Sequence, residues 1–168
     1  MHRLKIISLC ISLCLPFFIC GQNPPCSSIE YNQFDFWEGK WEVLDTNGVK
    51  IGENNISKQY NNCLLIEEWQ STSLNKGTSY NYFSPIDSSW NQLWIDNQGG
   101  VLELKGKMEG KQMVLRSKPF KRQDIQVYNQ IRWVNHDTNT VKQIWELYSI
   151  EGLQQSTLFH GIYKRKKE

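Results

Sequence analysis

The side chains that could do chemistry are few in this 168-residue sequence. Glu67 and Glu68 are adjacent, so on a β-strand their carboxylates point to opposite faces and cannot act as an acid–base pair. We expect one of them at a rim and the other on the surface. His136 and His160 are the histidines after residue 21, and no Cys, His, Asp and Glu cluster has metal-ligand spacing. Nucleophile elbows and phosphate-binding loops are missing as well, so the sequence favours binding over catalysis.

Amide and hydroxyl side chains recur at positions that alternate with aromatic residues. Such groups are costly in an apolar row unless they are hydrogen-bonded, which predicts either a wet pocket or an internal network. The alternative is that these rows face solvent. Mostly apolar walls with a few polar groups are typical of a pocket for a small apolar or amphipathic molecule. The candidate ligand-binding residues are Ser79, Asn81, Trp90, Gln92, Trp94, Asn129, Trp133, Gln143 and Trp145.

The elements that must position these residues are β-strands. Turn signals recur about every 8 to 14 residues, which is too short for crossover helices between parallel strands. The ten segments between the turns are Lys40–Leu44, Lys50–Lys58, Cys63–Thr72, Thr78–Ser84, Ser89–Asp96, Val101–Met108, Lys111–Lys118, Ile125–Asn135, Thr140–Ile150 and Ser156–Arg165.

Ten consecutive strands with short turns predict an all-β fold, a ten-stranded up-and-down antiparallel β-barrel over residues 34–165. Closure removes exposed edges, whereas a sandwich usually needs long Greek-key connections. Before the barrel, residues 22–33 form a polar leader. Phe34 and Trp37, which come directly after it, have the spacing of one helical turn. Residues 166–168 are a basic tail.

The first residues have the pattern of a secretory signal peptide. A basic start precedes the apolar run Ile6–Ile19, and a small residue follows, which predicts cleavage after Gly21 and a signal peptide over residues 1–21. Lipidation at Cys20 is the alternative, but Ile19 is bulkier than a lipobox prefers. We therefore expect a secreted or periplasmic protein. No later apolar stretch is long enough for a transmembrane helix, so none is expected in the mature chain.

The composition limits the classes of partner and the kind of chain further. The chain has 19 basic and 17 acidic residues, and loss of Arg3 and Lys5 with the signal peptide balances them, which argues against a nucleic-acid partner. Seven each of Trp, Tyr and Phe argue against disorder. Cleavage also leaves two cysteines, Cys26 and Cys63, and such a pair in an exported protein predicts a disulfide.

Several motifs together resemble an uncharacterised lipocalin-like family of exported bacterial proteins. They are FDFWEGKWEV (34–43), WNQLWIDNQGG (90–100), QIWE (143–146) and FHGIYKR (159–165). This family is related within the calycin superfamily to fatty-acid-binding proteins and nitrobindins. The resemblance implies a calycin barrel in which Gly39 and Trp41 form the G-x-W entry and Arg165 lies against Trp41. It implies no established activity.

The same resemblance raises one cofactor hypothesis. In nitrobindins a histidine of a late strand holds a haem iron, and His160 is the matching candidate if it points into the barrel. The alternative function is then a haem protein that acts on reactive nitrogen or oxygen species. The FHGIY stretch departs from the nitrobindin pattern, so we expect no cofactor and a core or rim role for His160. A filled barrel that serves as an interaction module is the third alternative.

Overall fold

The structure, a computed structural model, describes residues 24–167. Two 3-10 helices, Ile29–Asn32 and Asp35–Trp37, precede the strands. The strands are β1 (Gly39–Leu44), β2 (Lys50–Gln59), β3 (Leu64–Ser71), β4 (Lys76–Ser84), β5 (Ser89–Asp96), β6 (Val101–Glu109), β7 (Gln112–Arg116), β8 (Phe120–Arg122), β9 (Ile125–Asp137), β10 (Thr140–Ser149) and β11 (Gln154–Arg165). Within this described part, no helix has the length and apolar character needed to cross a membrane. The predicted signal peptide lies outside the described residues.

Ten of the strands form one closed antiparallel barrel. Sequence neighbours pair from β1 to β7, β7 pairs with β9, and the order continues through β10 and β11. Closure occurs where β11 pairs with β1 and places Trp41 opposite Arg165. The short β8 continues the line of β7 and pairs with the first residues of β9, on the edge of β9 that β7 also uses. The predicted ten-stranded up-and-down barrel is confirmed, and each predicted segment overlaps one strand of the ring.

Alternation of apolar and charged side chains explains why these segments become barrel strands. In β6, Leu104 is 3% exposed in the interior, while its neighbours Glu103 and Lys105 are exposed on the outside. Inward burial of alternate residues removes apolar surface from water without burying the charges between them. The inward row of each strand therefore sets what the barrel contains.

One end of the barrel is closed by the segment that precedes β1. Phe34 and Trp37 are both fully buried, with ring centroids 5.0 Å apart in a stacked arrangement, as the helical-turn spacing predicts. Trp90 and Trp133 pack edge-on against Phe34, with centroid distances of 5.5 and 5.2 Å. This aromatic cluster makes the closed end a solid core.

The predicted disulfide is confirmed. Cys26 and Cys63 are bonded across a separation of 37 residues, which joins the segment before the first 3-10 helix to the turn between β2 and β3. An ion pair holds the same region, because Lys58 Nζ lies 2.6 Å from Asp35 Oδ1. These links hold the N-terminal segment over the closed end.

Arg165 joins the last strand to the entry of the first. Its guanidinium carbon lies 4.2 Å from the centroid of the Trp41 ring, and it donates hydrogen bonds to the backbone oxygens of Glu38 and Thr138 at 2.8 and 3.0 Å. Gly39 has a φ of +125°, and a Cβ there would lie 2.2 Å from Arg165 Nη1. A glycine at this position therefore leaves room for the guanidinium.

Replacement of Arg165 by alanine should destabilise the barrel by about 2 kcal/mol. The variant loses the cation–π contact and leaves two backbone carbonyls without their charged donor. Urea unfolding followed by circular dichroism measures the effect, with Lys40→Ala, an exposed residue of β1, as the control that should change stability by less than about 0.5 kcal/mol. Equal midpoints for the two variants would contradict a role for Arg165 in closure.

Candidate functional site

The open half of the barrel contains a cavity of about 130 Å³. A cavity of about 150 Å³ in another protein interior holds one benzene molecule, so a single ring or a short chain matches this space. Five of the lining side chains are aromatic, and one carries a carboxyl group. The lining residues are Glu67, Trp69, Asn75, Gln92, Trp94, Leu102, Ile131, Gln143, Trp145, Phe159 and Tyr163.

Glycines in neighbouring strands allow two of the rings to lie against the barrel wall. A Cβ on Gly52 would come within 2.4 Å of the Trp69 ring, and a Cβ on Gly77 within 2.3 Å of the Trp94 ring. Phe159 meets Trp69 edge-on, with centroids 6.0 Å apart. The flat placement of the indoles against backbone leaves the centre of the open half free.

Glu67 forms the centre of a buried polar network. Its side chain is in the inward row of β3 and is 4% exposed. Asn54 Nδ2 donates to Oε1 at 2.6 Å, and Ser79 Oγ donates to Oε2 at 2.6 Å. Ser79 accepts hydrogen bonds in turn from Asn81 at 2.8 Å and from Gln92 at 3.3 Å. Both carboxyl oxygens are therefore fixed in place by neutral donors.

Tyr163 extends the network to the opposite wall. Its hydroxyl donates to Gln143 Oε1 and accepts a hydrogen bond of 3.3 Å from Asn54 Nδ2. The hydroxyl proton of Tyr163 is thus directed at Gln143 and not at Glu67. The network links β2, β3, β4, β5, β10 and β11 through their inward side chains.

The electrostatics of this network are unusual because, within residues 24–167, no cationic side chain pairs with the charge of Glu67. Among the described residues that line the cavity there is no Lys, Arg or His. Burial raises the pKa of Glu67 to about 7, against the opposing effect of the hydrogen bonds from Ser79 and Asn54. Burial, together with the nearby Glu67 charge, also raises the pKa of Tyr163 well above its usual value of 10. At neutral pH the cavity wall therefore carries a partly ionised, unpaired carboxylate.

The predicted binding residues separate into three groups in the structure. Gln92, Trp94, Gln143 and Trp145 line the cavity. Ser79 and Asn81 are fully buried behind it, in the hydrogen-bond network around Glu67. The remaining three, Asn129, Trp90 and Trp133, lie elsewhere.

Trp90 and Trp133 are corrections to the sequence analysis, because they are core residues of the closed end and do not line the cavity. Asn129 is 8% exposed and accepts a hydrogen bond of 2.8 Å from Trp145 Nε1, so it orients a wall residue from behind. The amide rows thus face the interior and not solvent. They form both a pocket wall and an internal network.

His160 is half-buried on the outer face of β11, so the condition for the haem alternative, that it points into the barrel, is not met. It is opposite Ile144 in the pairing of β10 with β11, while Phe159 and Tyr163, which belong to the other row of β11, line the cavity. The haem hypothesis therefore has no axial ligand in the barrel interior at this position. Between residues 24 and 167, no three His, Cys, Asp or Glu side chains lie close enough together to hold a metal ion.

Glu67 is the site residue that the sequence analysis misplaced. We expected a rim or surface charge, but the side chain is inside the barrel, and Glu68 on the opposite face is exposed. The sequence pattern did indicate burial, because Leu65 and Trp69 flank Glu67 in the same alternating row of β3. A carboxylate between two apolar members of one row is a candidate for burial.

A second concavity, of about 440 Å³, lies on the outer face of β4 to β7. Tyr80, Tyr82, Glu103 and Lys105 are among its lining residues, and all four are exposed. Gln92 is the one member of the buried network that lines it, and the carboxyl group of Glu67 is not part of its wall. The interior cavity is therefore the better candidate for specific binding.

The fold and the cavity define the class of this protein: an antiparallel β-barrel of ten strands that is filled at one end and hollow at the other. No protein-family model matches the chain, and no curated protein matches its sequence. The resemblance to lipocalin-like proteins stays a prediction that rests on the sequence motifs.

Proposed function

We propose that this protein is an exported binding protein that holds one small apolar or amphipathic molecule in the open half of its barrel. The observation that carries the proposal is the cavity of about 130 Å³ with five aromatic walls and a few fixed polar groups. Ligand pockets have this combination, since apolar walls supply affinity and placed polar groups supply orientation. The disulfide Cys26–Cys63 supports export, because such bonds persist in oxidising compartments. No covalent chemistry is part of the proposal.

The rim of the open end supports an amphipathic ligand. Leu74, Leu153 and Val49 lie in or beside the turns at this end and are 86%, 67% and 60% exposed. Apolar side chains around a cavity mouth can contact the part of a ligand that the cavity does not hold. The cavity then accommodates one end of the molecule, and the rim accommodates the rest.

Tryptophan indole resonances provide a direct test with benzyl alcohol, a neutral ligand of matching size. We expect the indole N–H signals of Trp69, Trp94 and Trp145 to shift saturably during a ¹H–¹⁵N NMR titration. Trp37 and Trp133 of the closed end are internal controls and should not shift. Absence of any saturable shift at the open end, for benzyl alcohol and for 1-hexanol alike, would contradict the proposal and favour an inert barrel.

Replacement of Leu102 by tryptophan should block the cavity. Leu102 lies on β6 and lines the space, so an indole at this position occupies much of the volume. We expect affinity for benzyl alcohol to fall at least about tenfold, which corresponds to about 1.4 kcal/mol. Glu103→Trp is the matched control, because residue 103 is the next on the strand and is exposed on the outer face. Unchanged binding in Leu102→Trp, with the fold retained, would place the ligand elsewhere.

A further inference from the structure

We propose that the ligand is an organic cation whose ammonium group lies between Glu67 and the aromatic walls. This inference rests on the proposed function and names the chemical class of the molecule in the same cavity. It is carried by the position of one buried carboxyl group among five aromatic side chains.

The first argument is charge balance. A buried carboxylate is unfavourable unless it is paired, because removal of the charge from water is not repaid by neutral hydrogen bonds alone. Glu67 has neutral donors only, from Asn54 and Ser79, and the cavity wall supplies no cationic side chain among the described residues. A carboxylate has about four lone-pair directions, so two hydrogen bonds leave acceptor capacity that a ligand can use. A cationic ligand supplies the missing counter-charge.

The second argument is the chemistry of the walls. The faces of Trp, Tyr and Phe rings attract ammonium groups, most strongly when the groups are removed from water. Trp69, Trp94 and Trp145 surround the space together with Phe159 and Tyr163. Ca²⁺ requires six or more oxygen ligands, and Mg²⁺ requires oxygen ligands in near-octahedral geometry. Aromatic walls do not supply such ligands. The walls therefore favour an organic cation over a metal ion.

The same arrangement disfavours anions. A carboxylate-bearing ligand such as a fatty acid would place a second negative charge beside Glu67, and no cationic side chain among the described lining residues offsets it. The negative charge of Glu67 thus makes this cavity a poor site for fatty acids. An anionic analogue of the probe is consequently an informative third ligand.

A pH dependence follows from the same geometry. Among the described residues that line the cavity, Tyr163 is the other titratable group, and it stays neutral because its pKa is raised. Asn54, Ser79 and Gln92 do not titrate. Because the pKa of Glu67 is about 7, the binding carboxylate is mostly protonated at pH 5.5 and mostly ionised at pH 8. Affinity for a cation should rise over this interval.

The test compares benzylammonium, benzyl alcohol and benzoate, three ligands with one ring and different charge. Benzylammonium stays protonated from pH 5.5 to 8, as a Lys side chain does. At pH 8 we expect benzylammonium to bind on the order of tenfold more tightly than benzyl alcohol, and benzoate to bind most weakly. The affinity for benzylammonium should rise on the order of tenfold from pH 5.5 to 8, while that for benzyl alcohol stays nearly constant.

Two variants locate the charge that is responsible. Glu67→Gln should bring the affinity for benzylammonium down to that for benzyl alcohol and remove the pH dependence. Glu68→Gln, which removes the adjacent exposed carboxylate on the opposite face, should leave both unchanged. Because the wild-type comparison and its pH profile need no variant, the inference stays testable if Glu67→Gln fails to fold.

The outcomes separate this inference from the proposed function. Equal affinities for benzylammonium and benzyl alcohol would overturn the cation while leaving an apolar binding site. Tighter binding of benzoate would overturn the cation and favour an anionic ligand. Absence of saturable binding for all three ligands would overturn both proposals.

Discussion

Glu67→Gln should remove most of the pH dependence of stability between pH 5 and pH 8. Burial raises the pKa of this carboxyl group from 4.5 to about 7 in the folded protein. A shift of that size corresponds to about 3 kcal/mol of unfolding free energy, since one pKa unit is about 1.4 kcal/mol.

The direction of the effect follows from the proton balance. Between pH 4.5 and 7 the folded protein retains the proton of Glu67, whereas the unfolded chain releases it. The contribution of Glu67 to the free energy of unfolding is therefore fully present below pH 4.5 and is lost as the pH rises through 7. Glu53 and Asp87 have pKa values lowered to about 2 through contacts with lysines, so their contribution is lost at lower pH, outside this window.

Urea unfolding at pH 5 and pH 8 measures the difference. We expect the wild type to lose about 2.5 kcal/mol relative to Glu67→Gln between the two pH values, because part of the shift lies below pH 5, with similar m-values for both proteins. Glu68→Gln is the control and should keep the wild-type dependence. Parallel pH profiles for the wild type and Glu67→Gln would show that Glu67 is solvated and not buried.

Removal of the disulfide should destabilise the protein by about 4 kcal/mol. Cys26 and Cys63 close a loop of 37 residues, and the chain-entropy estimate for a loop of this length is about 4 kcal/mol at 25 °C. The loop contains Phe34 and Trp37, which fill the closed end of the barrel. Without the cross-link, the unfolded chain gains freedom that folding must remove before these rings can pack.

The double variant Cys26→Ser/Cys63→Ser tests this in urea, next to the wild type with and without a reductant. We expect the variant and the reduced wild type to unfold at the same, lower urea concentration, and the reductant to have no effect on the variant. A wild-type midpoint that does not respond to reduction would contradict a stabilising bond. The cavity lies at the opposite end, so benzyl alcohol should still bind the variant while it is folded.

The two ends of the barrel have different roles. At the closed end, aromatic side chains pack on one another, and the disulfide links the N-terminal segment to the turn between β2 and β3. The open end has aromatic side chains packed on glycines, with free space between them. The packed rings and the disulfide thus lie at one end, and the buried carboxylate and the cavity lie at the other.

The sequence alone determined the strands and the covalent link. Alternation of the kind seen at Leu104 with Glu103 and Lys105 depends on neighbours along the chain, so it can be recognised without coordinates. The short turns argued against parallel strands, and ten strands in succession then favoured an up-and-down order over a sandwich. The pairing of Cys26 with Cys63 followed because they are the two cysteines that remain after the predicted signal peptide.

Only the tertiary structure decided which end of each inward row meets the cavity. Trp90 and Trp94 share one face of β5, about 13 Å apart along the strand, yet one packs in the closed end and the other lines the cavity. Alternation assigns a face but not a depth. The depth is set by Phe34 and Trp37, which cross one end of the barrel from a distant part of the chain.

The orientation of His160 and the burial of Glu67 were decided in the same way. Both rows of side chains on β11 are partly apolar, so the sequence could not show which row faces the interior. The pairing of Val43 with Tyr163 at barrel closure turns the row of Tyr163 inward and the row of His160 outward. The environment of Glu67 depends on Asn54, Ser79 and Tyr163 from three other strands. A side chain's face is a local property of a strand, whereas its solvation depends on long-range contacts that exist only after the barrel closes.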